Sequence, residues 1–298
     1  MKTRSDRPII TPENVHLTKE ERKSLTHGEF WIPEEERVVY RRALESLNQA
    51  GVPYVVSGLY ALYEHTGIYR LTKDLDLFVE PAHVVAAAQA LKEAGFRTHL
   101  EQAHWLAKAM WDEKQVDLIF GTGNGLSLID GTWFEYSRPG ILAGTPVRVA
   151  PPEELLWHRL YVSERHRSDV SDILHLILCR GDELDWDRLL ERVGSAWRLV
   201  LAQIHLYDYV YPGHRTQVPA AVRRQLYAAA DAAIDEVGDP EVCHGTLISR
   251  FSYNIDVNEW GFRDPRKEAT IAARRLPIVH EILASEVWEE KGEEAAGD

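Results

Sequence analysis

The stretch IYRLTKDLDLFVEP, residues 68–81, decides the fold because it places two aspartates inside a run that otherwise has the pattern of a strand. Within KDLDLFVE, apolar residues alternate with Asp74 and Asp76, and a period of two is typical of a strand. Since successive side chains of a strand point to opposite faces, the two aspartates share one face. Two like charges about 6 to 7 Å apart repel one another unless a cation lies between them, so the pair predicts a metal site.

A third acid, Asp117, lies inside the apolar run VDLIF of residues 116–120. Strands are depleted in Asp, and an unpaired buried charge is costly. Hard carboxylate oxygens favour Mg²⁺ or Mn²⁺ over zinc, and two such ions can activate an attacking hydroxyl and hold the phosphates of a nucleotide. The spacing leaves one alternative open, in which the first two aspartates pair with Lys73 and Arg70 on an exposed strand end.

Taken together, these motifs resemble the DNA polymerase beta-like nucleotidyltransferase superfamily, whose minimal members include antibiotic nucleotidyltransferases and abortive-infection type toxins. Such members show a small-residue turn that opens a helix, then R-x-T-x-D-x-D, then a third acid on a later strand. The resemblance covers residues 53–120 and extends loosely into 151–178, which is similar to the family's P-E-x-L and R-x-D-x-x-D helices. The matching positions are Ser57, Gly58, Arg70, Thr72, Asp74, Asp76 and Asp117.

The resemblance implies a role for each matching residue. Asp74 and Asp76 would bind both metal ions, and Asp117 would bind one ion and help to deprotonate the acceptor hydroxyl. Ser57 and Gly58 would form a turn that meets the triphosphate at a helix start, where the helix dipole favours an anion. Arg159 occupies the place where the family often has a phosphate-binding lysine. The residues expected to contact the nucleotide are therefore Ser57, Gly58, Arg70, Thr72, Lys73 and Arg159.

The predicted fold class is α+β, with a nucleotidyltransferase-type small mixed sheet and its helices followed by an all-helical domain. Residues 1–50 are expected to form an amino-terminal arm and a helix, and residues 51–150 the catalytic domain. Residues 151–298 are expected to form a helical domain with an acidic carboxy-terminal tail. The first helix is predicted at 33–51, since a proline and three glutamates mark its start and a glycine marks its end.

The composition narrows the classes of partner. The formal net charge of -13 disfavours a surface that neutralises the many phosphates of a long nucleic acid. No stretch approaches the roughly 18 uninterrupted apolar residues that a membrane span needs, so no membrane partner is expected. Only two cysteines occur in the 298 residues, which is typical of a reducing compartment, and we expect a cytoplasmic protein.

The sequence thus predicts a Mg²⁺-dependent, or Mn²⁺-dependent, nucleotidyltransferase. It would move a nucleoside monophosphate from an NTP donor to a hydroxyl acceptor and release pyrophosphate. A small-molecule acceptor suits the acidity of the chain, while a tRNA end or a protein hydroxyl stays open. The competing class is a catalytically inactive nucleotidyltransferase-fold module that holds a nucleotide or a partner protein. A metal-dependent phosphohydrolase with the same acids is a third candidate.

Overall fold

The strand that carries the first two aspartates lies inside a seven-stranded mixed sheet. The computed structural model describes residues 29–163 and 168–289. Across the sheet the strand order is β3-β4-β5-β2-β1-β7-β6. The strands are β1 (Val55–Val56), β2 (Asp74–Phe78), β3 (Arg97–Gln102), β4 (Leu106–Trp111), β5 (Lys114–Ile119), β6 (Arg138–Leu142) and β7 (Thr145–Val149). The predicted class, a small mixed sheet with helices followed by a helical region, is confirmed.

Helices accompany the sheet before, between and after its strands. They are α1 (Glu34–Gln49), α2 (Gly58–Thr66), α3 (Val84–Glu93) and α4 (Thr132–Glu135), with α12 (Pro277–Leu283) from the far end of the chain. Three glutamates lie in the first turn of α1, where the positive end of the helix dipole stabilises negative charge. Its buried residues recur at helical spacing, as in Tyr40, Ala43, Leu44 and Leu47. One face of α1 therefore packs into the core.

The register of the sheet sets which side chains face one another. Strand β2 runs parallel to β5, with Asp76 directly opposite Asp117. Strand β4 runs antiparallel to β5, and Lys108 lies opposite Asp117 on the other side. Leu75 and Leu77, which alternate with the aspartates of β2, are fully buried. The sheet therefore has one apolar face that builds the core and one face on which acids of neighbouring strands meet.

The second unit of the chain is helical and includes buried ion pairs. Its helices are α5 (Pro152–Arg159), α6 (Val170–Arg180), α7 (Trp186–Val193), α8 (Trp197–Val210), α9 (Ala220–Ala232) and α10 (Asn254–Asn258). Arg188 of α7 pairs with Glu153 at 2.6 Å and also with Glu154, both on α5. Burial raises the pKa of Glu154, and the hydrogen bond from Arg188 opposes that rise. None of the helices in the described ranges has the length and apolar character needed to cross a membrane.

The division into units differs from the predicted domains at the carboxy-terminal end. Among the described residues, 29–150 and 269–289 form one unit and 151–268 form the other. Helix α11 (Pro265–Arg274) spans the point of return. Beyond α12, the backbone N–H of Glu289 donates to the carbonyl of Thr98 at 2.7 Å. Residues 269–289 therefore belong with the sheet and not with the helical unit, while the predicted arm before residue 29 and the acidic tail after 289 lie outside the described residues.

Candidate active site

Three carboxylates converge on the polar face of the sheet. Asp74 and Asp76 come from β2 and Asp117 comes from β5, and one oxygen of each lies within 4.8 Å of the others. Asp117 is only 8% exposed, and the other two aspartates are half-buried. The convergence follows from the parallel register of the two strands. Such crowding of like charges is costly unless a cation or a proton compensates it, so the cluster is the candidate centre of chemistry.

Asp117 holds its proton more tightly than an ordinary carboxyl group does. Its pKa is raised to about 6, chiefly by burial and also by the charge of Asp74, while the Lys108 ammonium opposes the rise. The Nε2 amide of Gln115 donates to Oδ1 of Asp117 at 2.5 Å. At pH 7 most of the molecules therefore carry an ionised Asp117 that accepts a proton more readily than an exposed aspartate does.

The turn before α2 lies directly against the carboxylates. Ser57 is almost fully buried, and its backbone N–H donates to the carbonyl of Asp76 at 3.0 Å. Gly58 begins the nine-residue helix α2 with a φ of +60°, and a Cβ there would lie 1.9 Å from Oδ2 of Asp76. Only glycine allows so close an approach with this backbone angle. The start of α2, which favours anions, is thereby held next to the acids.

The segment between α2 and β2 holds three more of the predicted residues. The hydroxyl of Thr72 donates to Oδ1 of Asp74 at 2.8 Å. The side chains of Arg70 and Lys73 are exposed in the irregular stretch that leads into β2. Thr72 therefore holds the carboxylate of Asp74 directly, while Arg70 and Lys73 lie close to Asp74 along the chain.

Arg159, the last of the predicted nucleotide-binding residues, belongs to the other unit. It lies at the end of α5 and is 5% exposed. Its Nε atom is 3.3 Å from Oδ2 of Asp172 and 3.9 Å from Oδ2 of Asp169. A buried guanidinium needs such partners to offset the loss of water. The contact of Arg159 with phosphate stays a prediction.

Asp117 has two polar neighbours that the sequence motifs do not include. Gln115 shares the face of Asp117 because it lies two residues earlier on β5, a spacing that the strand period already indicates. Lys108 lies opposite Asp117 because the hairpin of β4 and β5 turns through two residues, which pairs Trp111 with Lys114. The tight turn therefore fixes this register, and the lysine's place opposite Asp117 follows from the lengths of the two strands.

Comparison with known proteins agrees with the motifs. A family model described as "Uncharacterised nucleotidyltransferase" matches residues 23–206. No curated protein matches the chain. Among solved structures, the antibiotic-resistance factor ANT(2'')-Ia is 15% identical, with a TM-score of 0.39 over 69% of this chain and 100% of its own.

Two further solved structures show a similar level of likeness. The lincosamide antibiotic adenylyltransferase LnuA, bound to lincomycin, is 17% identical, with a TM-score of 0.36 over 49% of this chain and 96% of its own. JHP933 from Helicobacter pylori is 14% identical, with a TM-score of 0.36 over 68% of this chain and 98% of its own. The family model spans more than half of the chain, so the protein belongs to this nucleotidyltransferase family. The motifs predicted a family of this kind.

Proposed function

We propose that this protein is a divalent-metal-dependent nucleotidyltransferase that transfers a nucleoside monophosphate from an NTP to a hydroxyl acceptor. The observation that carries the proposal is the convergence of Asp74, Asp76 and Asp117 to within 4.8 Å beside the start of a helix. Family membership supports nucleotidyl transfer as the reaction class. In the alternative interpretation, Asp74 and Asp76 only pair with surface cations. That interpretation does not explain why Asp117 lies beside them.

The donor set fits magnesium or manganese. All three members of the group are carboxylates, and hard oxygen ligands are the ones that Mg²⁺ and Mn²⁺ prefer. Oxygens bound to one Mg²⁺ at about 2.1 Å lie at most about 4 Å apart, so carboxylates this close need little movement to share ions. When bound, the cations would neutralise phosphate charge and favour ionisation of the acceptor hydroxyl.

The residues of the site have distinct parts in the proposed transfer. The acceptor oxygen forms a bond to the α-phosphorus, the bond from that phosphorus to the β-phosphate oxygen breaks, and pyrophosphate leaves. The acceptor proton passes to the carboxylate of Asp117, because burial makes this side chain accept a proton more readily than an exposed aspartate does. The turn at Ser57 and Gly58 holds the triphosphate with its amides. Arg70 and Lys73 offset phosphate charge from the exposed segment.

The proposed acceptor is a small hydroxyl compound. A net charge of -13 gives a long polynucleotide no general attraction to the surface. The polar face of the sheet next to Asp117 is half-exposed at Lys108 and Gln115, which leaves room for a polar acceptor beside the proposed base. A protein hydroxyl or an RNA end is an outcome that the transfer assay below distinguishes.

Nucleotide binding and turnover test this proposal together. We expect calorimetry to show NTP binding that requires Mg²⁺, and we expect Asp76→Ala to weaken it at least about tenfold because a cation ligand is lost. Asp112→Asn, at an exposed turn of the same sheet, is the control and should bind normally. Labelled NTP with pools of small hydroxyl compounds, RNA and protein should then yield pyrophosphate and a labelled acceptor.

The other outcomes separate the competing classes. Metal-dependent binding without pyrophosphate in any pool would indicate an inactive nucleotide-binding module. Release of inorganic phosphate without transfer would indicate a phosphohydrolase. NTP binding that is indifferent to Mg²⁺ and to Asp76→Ala would contradict the proposed site.

Thr72 supports the site through one hydrogen bond. Its hydroxyl holds Oδ1 of Asp74 at 2.8 Å, so loss of the hydroxyl frees that carboxylate to rotate. We expect Thr72→Val to lower kcat/KM about tenfold, in line with the loss of other groups that orient metal ligands. Thr72→Ser keeps the donor and should retain most of the activity. Equal activity of the two variants would show that the hydroxyl has no such role.

A further inference from the structure

A row of polar side chains crosses the sheet at the level of the acids. Asp76 lies opposite Asp117, Asp117 lies opposite Lys108, and Lys108 lies opposite His99 on the next strand. Neighbouring strands are about 4.8 Å apart, so each member of the row is adjacent to the next. Lys108 therefore flanks Asp117 on the side away from the other two acids.

Lys108 and Asp117 are joined through one amide. The ammonium of Lys108 donates to Oε1 of Gln115 at 3.3 Å, and Nε2 of Gln115 donates to Oδ1 of Asp117 at 2.5 Å. A lysine has only donors, so it binds the oxygen of the amide and turns the NH₂ group away from itself. Lys108 thus selects the amide orientation in which Gln115 donates to the carboxylate. Without the lysine, the amide is free to turn its oxygen towards Asp117, where two acceptors repel.

We propose that Lys108 and Gln115 are positioning residues, which hold Oδ1 of Asp117 and so keep the other oxygen available for the cation and the acceptor proton. A carboxylate with one oxygen fixed loses rotation about its last side-chain bond. Groups that fix metal ligands in this way are typically worth about 10- to 100-fold in metal affinity or activity. This inference rests on the proposed function, because the hydrogen bond from Gln115 matters for the reaction only if Asp117 is a metal ligand and a base.

Metal binding by the full-length protein tests the inference without relying on turnover. Mn²⁺ affinity would be measured by calorimetry for the wild type, Gln115→Leu, Lys108→Met and the double variant. We expect Gln115→Leu to weaken Mn²⁺ binding about tenfold. Lys108→Met should also weaken it, and the loss in the double variant should be smaller than the sum of the two single losses, because the lysine acts in part through the amide. Lys108→Arg keeps donors only and should restore most of the affinity.

Two matched controls separate positioning from a general loss of charge or polarity. Lys114→Met removes a lysine at the start of β5 that pairs with Glu35 and Glu36, and Gln89→Leu removes a glutamine that donates to Glu93 on α3. Both should bind Mn²⁺ like the wild type. At saturating Mn²⁺, steady-state kinetics should show a lower kcat in the Lys108 and Gln115 variants with little change in KM for NTP, since the turn that holds the triphosphate is untouched.

The possible failures differ in what they overturn. If the wild type binds Mn²⁺ and the Gln115 and Lys108 variants bind it equally well, the positioning role is wrong and the proposed function stands. Fully additive losses in the double variant would show that the lysine does not act through the amide. If the wild type itself binds no Mn²⁺, both the positioning role and the proposed function are wrong.

Discussion

Asp117→Asn is expected to give a protein that is more stable than the wild type at pH 7 and about a thousandfold less active. The loss of activity has two causes. An amide cannot accept the acceptor proton, and it is a poor substitute for a carboxylate as a ligand of a hard cation. The hydrogen bond from Gln115 is retained, because the side-chain oxygen of asparagine accepts as Oδ1 does now. The site therefore keeps its shape and loses its charge.

The gain in stability follows from the direction of the pKa change. Burial raises the pKa of Asp117 from 3.8 to about 6, so the folded protein binds this proton more tightly than the unfolded chain does. Protonated Asp117 therefore favours the folded state fully below pH 4. That contribution is lost as the pH rises to 6, and above pH 6 the ionised side chain costs up to about 3 kcal/mol relative to a neutral one. Asparagine is neutral at every pH and avoids this cost.

Urea denaturation in the presence of EDTA, at pH 4 and at pH 7, measures the difference. EDTA is needed because a bound divalent cation compensates the same charge and would stabilise only the wild type. We expect the free energy of unfolding of Asp117→Asn to exceed that of the wild type at pH 7 and to approach it at pH 4. Asp112→Asn is the control, because this exposed turn residue has a φ of 51°, which asparagine adopts as readily. A destabilised Asp117→Asn at pH 7, or an equal gain in the control, would contradict the assignment.

The acids were predictable from the sequence because their signal is local. A period of two places Asp74 and Asp76 on one face, and apolar neighbours mark Asp117 as an acid inside a buried strand. The same local rule yields Gln115, and the two-residue turn after β4 yields Lys108. What local patterns do not contain is distance: the 4.8 Å cluster depends on the parallel pairing of β2 with β5, whose sequences are separated by a helix and two strands.

Two other features depend on contacts that no local pattern encodes. Residues 269–289 return to the sheet unit, where Val287 accepts a hydrogen bond from the hydroxyl of Thr98 at 2.8 Å. These residues form helices, as the segments before them do, so a sequence pattern predicts one continuous helical domain. The place of Arg159 in a motif predicts a phosphate ligand, whereas its ion pair with Asp172 depends on the packing of α5 against α6, which no local pattern contains.

Gly58→Ala is expected to lower kcat/KM at least about a hundredfold, the second of the two largest effects. The added Cβ would lie 1.9 Å from Oδ2 of Asp76 and 2.9 Å from its Cγ. The nearest atoms belong to the end of a side chain, so the carboxylate moves before the backbone does. Asp76 then leaves the position in which its oxygen meets those of the other acids, and the cluster loses a ligand.

Gly51→Ala separates this collision from backbone strain. Gly51 has a φ of +66°, close to the +60° of Gly58, but a Cβ there would meet nothing within 4 Å. Both substitutions carry the cost of a left-handed alanine, about 1 to 2 kcal/mol in the free energy of unfolding. We therefore expect similar losses of stability in urea, whereas kcat/KM and Mn²⁺ affinity should fall only in Gly58→Ala. Equal kinetic losses in the two variants would attribute the effect to the fold, and normal activity in both would show that the close approach of the helix to Asp76 has no part in catalysis.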